Sequence, residues 1–324
     1  MKSITPALAA AIILAAAGAS RAQYPDHSIS WVVPFAAGGA TDTLARQFAE
    51  RMSRGEKTAI VIDNVAGAGG TVGANKVAKA KPDGYTFLVG HVGYMAAAPG
   101  LYKDLPYDPV HDFDAVVRFP DTPMVLYCGK QVAAADIRAL VDLARANPGK
   151  LNFANAGVGS AGHLVAALFA SAAKVNIVHV PYKGNAPALA DIMGGRVDCM
   201  FDQSNTALPQ VRGGKVTAFA VTSRERIPQL PQVPTLGESG LPGFEAATWY
   251  GIYAPSGTPR EAIQWIVAQF DKAMGDADFT SMLVSQGYVL VAPAEQGPEA
   301  LAAHTRREVE LWKKVIADAH IAPN

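Results

Sequence analysis

Two short stretches hold the residue types that could do chemistry. The first, WVVPFAAGGATDTLAR (31–46), runs from an apolar strand into a loop of Ala and Gly and then into a helix start. The second, LNFANAGVGSAGHL (151–164), repeats that layout. A helix start carries unpaired N–H groups and about half a positive charge, and a Gly/Ala loop lets backbone N–H groups approach an anion closely. Phosphate loops of this kind add a lysine. Neither stretch contains one, and the first cation after the first loop is Arg46, already a turn into the helix. Such a site suits a carboxylate, which carries less charge than a phosphate. Two of them facing across a cleft would hold the two ends of a dicarboxylate, or a carboxylate and a polar tail.

Competing chemistries fit the residues less well. Gly157-x-Gly159-x-x-Gly162 has the spacing of a dinucleotide fingerprint, but that fingerprint needs an acid about 20 residues on, at the end of the next strand. The next strand here ends HVPYKG, and no acid follows until Asp191. A third loop, NVAGAGGTVGANK (64–76), misses the spacing by one residue. For all three loops the plain alternative is tight strand–helix turns that need glycine. Ser160 sits in Val158-Gly159-Ser160-Ala161-Gly162, which lacks the first glycine of a nucleophile elbow. The histidines (27, 91, 111, 163, 179, 304, 320) form no HxH or HxxxH pair, so no metal site is expected. Neither Cys128 nor Cys199 neighbours a basic residue at a helix start, as an activated thiol would. No catalytic residue and no cofactor is expected.

The elements that must position the loops follow from periodicity. SISWVVPF (28–35), TAIVIDNV (58–65) and YTFLVGH (85–91) read as strands. Between the first two, Leu44, Phe48 and Met52 share one helical face, and Thr41 or Asp42 is placed to cap that helix. A second series reads as strands at 124–128, 151–155, 176–182, 197–202 and 216–222, with helices between most of them. Strands alternating with single helices imply parallel βαβ units. A Pro/Gly-rich stretch over 224–248 is a linker, followed by a strand at 249–255 and helices starting near Pro259, Asp276 and Glu295. The same strand–loop–helix grammar occurs twice, which predicts two similar α/β lobes.

The bulk numbers narrow the setting. Of 324 residues, half are apolar and 17% charged, with a formal net charge of zero. That permits a sizeable core and argues against nucleic acid or an anionic membrane surface as partner. Lys2, the short apolar run over 7–19 and SRA at 20–22 read as a secretory signal peptide, residues 1–22. The run falls short of the ~20 residues a membrane span needs. The mature chain is expected in the periplasm. There, two cysteines allow either one disulfide or two buried thiols, and the residues leave both open.

In five segments the chain resembles the Bug-type solute-binding proteins, extracytoplasmic receptors of tripartite tricarboxylate transporters. They are VPFAAGGATDTLAR (33–46), NVAGAGGTVGANKVAKAKPDGYTFLVG (64–90), NFANAGVGSAGHL (152–164), VPYKGNAPALADIMGGRVDCMFD (180–202) and VPTLGESGLPGFEAATWYGIYAPSGTP (233–259). The resemblance implies a type II, two-lobed Venus-flytrap fold of the periplasmic binding protein class, each lobe a mainly parallel sheet flanked by helices. It puts lobe I at 23–120 and 236–324 and lobe II at 121–235. It implies a small carboxylate ligand, di- or tricarboxylate or related, held largely by backbone N–H groups, a monomer, and membrane permease subunits as partners. Carried over, Ala36, Ala37, Gly38, Gly39, Thr41 and Asp42 form the first-lobe loop, with His91 and Tyr94 beside it. Asn155, Gly157, Gly159 and Ser160 form the second, with Tyr182, Gly184 and Asp202 lining the cleft. In the family's topology the strands of Cys128 and Cys199 are antiparallel neighbours, which makes the pair a candidate disulfide; the family usually has a simple apolar residue in place of Cys199. Two alternative functions are an exported hydrolase using Ser160 or a histidine, and a ligand sensor feeding a membrane kinase.

Overall fold

The computed structural model describes residues 24–318, so the expected signal segment lies outside the described residues. The strands are β1 (Ile29–Val33), β2 (Ile60–Asn64), β3 (Thr86–His91), β4 (Phe113–Arg118), β5 (Thr122–Cys128), β6 (Asn152–Asn155), β7 (Val178–Pro181), β8 (Cys199–Gln203), β9 (Thr217–Val221), β10 (Ala247–Thr248) and β11 (Tyr250–Pro255). They form two sheets with helices packed against them, the two-lobed α/β architecture that the repeated grammar predicts. One sheet has the order β2-β1-β3-β11-β4, the other β10-β5-β8-β6-β7 with β9 also on β5.

The parallel βαβ units are present: β1 pairs in parallel with β2 and β3, and β6 with β7 and β8. The sheets are nonetheless mixed rather than mainly parallel. β11 runs antiparallel to β3 and β4, and β5 antiparallel to β8, β9 and β10. The reason lies in the crossings. β5 and β11 each enter a sheet straight from the other one, with no helix to reverse their direction, so they run against strands already in place. β4 leads into β5 across residues 119–121, and β10 into β11 across Trp249. Because β10 pairs with β5, the chain stays with the second sheet until Thr248. The boundary expected at 236 therefore falls inside a stretch that packs with the second sheet.

Each sheet buries a face against helices. Leu44, Phe48 and Met52 of the helix Ala40–Ser53 are fully buried, as their spacing requires, and Phe48 stacks on Phe119 with ring centres 4.2 Å apart. In the second lobe Phe169 of the helix Ala161–Ala173 packs on Phe153 and Phe201 of the sheet. Cys128 and Cys199 face each other in the β5–β8 register and are joined by a disulfide. Among the described residues no helix is long and apolar enough to cross a membrane.

Candidate functional site

The first loop leaves its helix start open. Gly39 stands at the cap position and contributes no side chain. Neither Thr41 nor Asp42 caps, because both lie inside the first turn. Asp42 instead braces the loop from within: its Oδ2 accepts from the Gly38 N–H and from Arg46 Nε, both at 2.9 Å, and its Oδ1 accepts from Asn64 Nδ2 at 2.9 Å. Arg46 also donates to Asn64 Oδ1 at 3.0 Å. The nearest cation is thus spent on holding the loop's shape. Burial pushes the Asp42 carboxyl up, but the bonds from Arg46, Gly38 and Asn64 outweigh it and hold it below the usual carboxylate range. Ala37 and Gly38 are exposed at the loop tip, and Ala36 is half-buried.

Two helix starts answer it from the second lobe. Ser160 caps the helix Ala161–Ala173, its hydroxyl accepting from the His163 N–H. Gly157 and Gly159 take positive φ, +118° and +82°, which lets the loop turn sharply, and Asn155 Oδ1 accepts from the Gly157 N–H at 3.0 Å. The helix Asn185–Met193 starts at Gly184, again with no side-chain cap. Asn185 donates to Asp202 Oδ1 and to Gln203 Oε1, the latter at 2.7 Å. Asp202 is fully buried and accepts further from the Gln203 N–H at 2.8 Å and the Tyr127 hydroxyl at 3.2 Å. Burial pushes its carboxyl up to about 6 against the pull of these bonds.

The three helix starts meet around one small cavity. Phe35, Gly39, Ala40, Thr41 and His91 line it from the first lobe; Ala156, Ser160, Ala161, Gly162, Asn185 and Gln203 line it from the second. Its volume is about 20 Å³, room for about one water-sized sphere. No lining residue is cationic. His91 is buried, and burial pulls its imidazole down to about 3, so it is neutral. Its Nδ1 accepts from the Gly93 N–H at 2.9 Å, which leaves the proton on Nε2. A wider open groove of about 780 Å³ lies against the helix Pro298–Asp318, but no residue of the glycine loops lines it.

Around the cavity the lobes touch through glycines. A Cβ built on Gly69 would lie 1.9 Å from the Val158 carbonyl oxygen, and one on Gly93 would lie 2.4 Å from that of Gly159. Gly184 faces Ala36 in the same way at 3.2 Å. The Tyr102 hydroxyl donates to the Val158 carbonyl at 3.1 Å, and Asn205 Nδ2 to the Ala40 carbonyl at 3.2 Å. The third glycine loop therefore serves the contact between lobes rather than a turn alone.

Of the residues singled out from sequence, Gly39, Thr41, His91 and Ser160 reach the cavity wall. The remaining loop residues do not line it, and Ala37 and Gly38 stand exposed at the loop tip. Asp42, Asn155 and Asp202 hold wall residues in place through the bonds above. Tyr94 is fully buried, with its hydroxyl donated to the Val89 carbonyl and its ring 5.5 Å from that of His91, so it supports His91 from behind. Tyr182 turns its hydroxyl to Asp191 at 2.9 Å. Phe35, Asn185 and Gln203 were not singled out. Phe35 and Asn185 directly flank singled-out glycine loops, and that adjacency was the available signal; Gln203 is brought in by its register in β8. Ser160 and His163 are both engaged with backbone N–H groups, His163 Nδ1 accepting from Gly159 at 3.3 Å. Among the described residues no group of three metal-ligating side chains comes together.

Comparison with known proteins agrees with this geometry. Residues 44–320 match the model of the tripartite tricarboxylate transporter family receptor. The chain is 41% identical over 302 residues, 93% of its length and 89% of the relative's, to the UPF0065 protein in the tcbD-tcbE intergenic region of Pseudomonas sp. (strain P51). The solved periplasmic binding protein BugD superposes with a TM-score of 0.89 at 38% identity, over 93% of this chain and 100% of BugD. MatC of Rhodopseudomonas palustris with bound malate does so at 0.87 and 37%, over 90% and 100%.

Proposed function

This chain belongs to the tripartite tricarboxylate transporter receptor family, the Bug proteins, and we propose that it closes its two lobes around one small organic acid and presents it to the permease subunits of such a transporter. The observation that carries the reading is the convergence of three helix starts, two without a side-chain cap, on one cavity that no cation lines. Unpaired N–H groups and helix dipoles then supply the positive potential for a carboxylate. MatC, with malate in its structure, supports a carboxylate as the ligand class. The ligand-contacting set is Gly39, Thr41, His91 and Ser160 with the backbone of the two loops, from Ala36 to Asp42 and from Asn155 to Ser160. Gly184, Asp202 and the two tyrosines support it from behind.

A cavity of about 20 Å³ has no room for a dicarboxylate, so the lobes part to admit the ligand and close on it with the cleft held wider than in this form. The hinge lies where the sheets exchange chain, at 119–121 and at Trp249. Export follows from the signal segment at 1–22, and the Cys128–Cys199 disulfide suits an oxidising periplasm. The protein works as a monomer and carries out no chemistry on its ligand, because Ser160 is committed to capping a helix. The experiment is a thermal-shift screen of mature protein against organic acids, malate included, with titration calorimetry on each hit. Saturable one-to-one binding of a carboxylate is expected. Failure of every carboxylate, with neutral solutes binding instead, refutes the reading.

A further inference from the structure

One buried polar group at the seam between the lobes has no partner. The Tyr250 hydroxyl is 1% exposed and makes no hydrogen bond. Tyr250 stands opposite His91 in the β3–β11 register, and the two rings lie 5.3 Å apart. Thr41 and Gln203 flank the hydroxyl closely enough to ease its ionisation, yet neither completes a bond of good geometry. Both residues line the cavity, Thr41 from the first lobe and Gln203 from the second. Tyr250 thus lies directly beneath the cavity wall, on the first lobe, and opening the lobes draws Gln203 away from it. A buried hydroxyl without a partner carries an uncompensated desolvation cost, which a partner arriving with the ligand removes.

The surroundings define what that partner is. His91 is neutral and donates from Nε2. No lysine or arginine lines the cavity. The charged group that acts on Tyr250 is the buried carboxylate of Asp202, which opposes a second negative charge there. Gln203 gives its Oε1 to Asn185 and keeps its N–H₂ as a donor. An uncharged group that can both accept and donate meets all of this; a carboxylate meets the donors but also the repulsion of Asp202.

Resting on the reading of the site as a carboxylate receptor, we propose that Tyr250, with Thr41 and Gln203 on either side, is the subsite that reads the far end of the ligand. It selects acids whose far end is an uncharged hydrogen-bonding group over dicarboxylates of the same length.

The test is calorimetry on the mature, oxidised protein with two matched sets of probes: succinate, succinamate, γ-hydroxybutyrate and butyrate, then glutarate, glutaramate, δ-hydroxyvalerate and valerate. In one set the amide or the hydroxy acid is expected to bind at least ~10-fold tighter than the dicarboxylate, the size of effect a polar group left unpaired produces. Tyr250→Phe should bring the amide or hydroxy acid to within ~3-fold of the plain monocarboxylate, whose own affinity stays unchanged. Its melting temperature should equal or exceed that of the wild type, since it deletes an unpartnered hydroxyl. A dicarboxylate that binds tightest, or a Tyr250→Phe protein that keeps its discrimination, overturns the subsite and leaves the receptor reading intact. A fall of several degrees in melting temperature shows the hydroxyl to be structural and also overturns it. If no probe of either set binds and the wider screen finds no carboxylate, the receptor reading fails, and this inference with it.

Discussion

Gly93→Ala tests whether closure makes the site. Gly93 follows β3, and its backbone lies outside the positive-φ region, so alanine fits its own chain without strain. The new methyl would lie 2.4 Å from the Gly159 carbonyl oxygen across the seam. An ordinary C···O contact needs about 3.3 Å, so the second-lobe loop must retreat by about 0.9 Å. That loop has little give: its Gly159 N–H is held by His163 Nδ1, and its Ser160 N–H donates to the Gly157 carbonyl at 3.0 Å. The lobes must then stop short of full closure. The ligand keeps the first-lobe helix start and loses good geometry to the second lobe. If two charge-assisted N–H bonds go, at about 1.5 kcal/mol each, the loss is about 3 kcal/mol, or roughly 100-fold in affinity. Calorimetry measures that loss, and small-angle scattering of the saturated protein should give a larger radius of gyration than the saturated wild type. The apo melting temperature reports on the fold separately. Wild-type affinity within 3-fold and an unchanged scattering profile would refute the argument, since they would show that the seam can yield without loss of the site.

Three further outcomes follow from the same geometry. Replacing both Cys128 and Cys199 by Ala opens a bridge between residues 71 apart in sequence, worth about 4 kcal/mol in the chain-entropy picture, so urea unfolding should lose most of that while ligand affinity holds. A loss under 1 kcal/mol would contradict it. For His91, burial lowers the folded pKa to about 3, so the unfolded chain binds the extra proton and stability falls as pH drops below 6.5. His91→Gln lacks that proton, so the stability advantage of wild type over variant should shrink by about 2 kcal/mol between pH 6.5 and pH 4.5; parallel profiles would rule the buried neutral imidazole out. Asp42→Asn keeps one acceptor oxygen, so it strands either the Gly38 and Arg46 donors or the Asn64 donor and removes the charge facing Arg46, and should cost about 2 kcal/mol at pH 7 with weaker ligand binding. Because the Asp42 carboxyl is held below its usual range, that cost is present above the ordinary carboxylate pKa and fades below about pH 4, which urea titrations at both pH values can check.

Much of the fold is legible in the chain because it is local. Leu44, Phe48 and Met52 repeat at helical spacing and all three are buried; ISWVV reads as a strand and pairs on both edges. The same holds for both glycine loops, where the strand end, the glycines and the helix start are consecutive residues. What escaped is set by pairing at a distance. β4 carries only six residues, FDAVVR, of mixed burial, and becomes a strand because β11 returns from over a hundred residues away to pair with it. The mixed sheets escaped for the same reason: the direction of β5 and β11 is decided by where the chain crosses, which no residue type records.

The site divides along the same line. Backbone donors at helix starts announce themselves, since glycine and the absence of a cation are visible residue by residue. The side chains that finish the cavity do not. Gln203 reaches the wall because β8 runs beside β5, and Tyr250 reaches the seam because β11 runs beside β3. The family resemblance places Tyr94 beside the first loop, but the buried turn at 93–97 swings it behind His91. On the proposed reading, the loops that attract a carboxylate are short stretches common to both lobes, while discrimination among carboxylates rests on residues such as Gln203 that reach the cavity only through strand pairing. If affinity and selectivity come from different parts of the sequence, substitutions at Gly39 and at Gln203 should be separable: the first weakens every carboxylate alike, and the second reorders them. A Gln203→Met protein that lost all ligands in equal proportion would argue that the two functions share one set of residues.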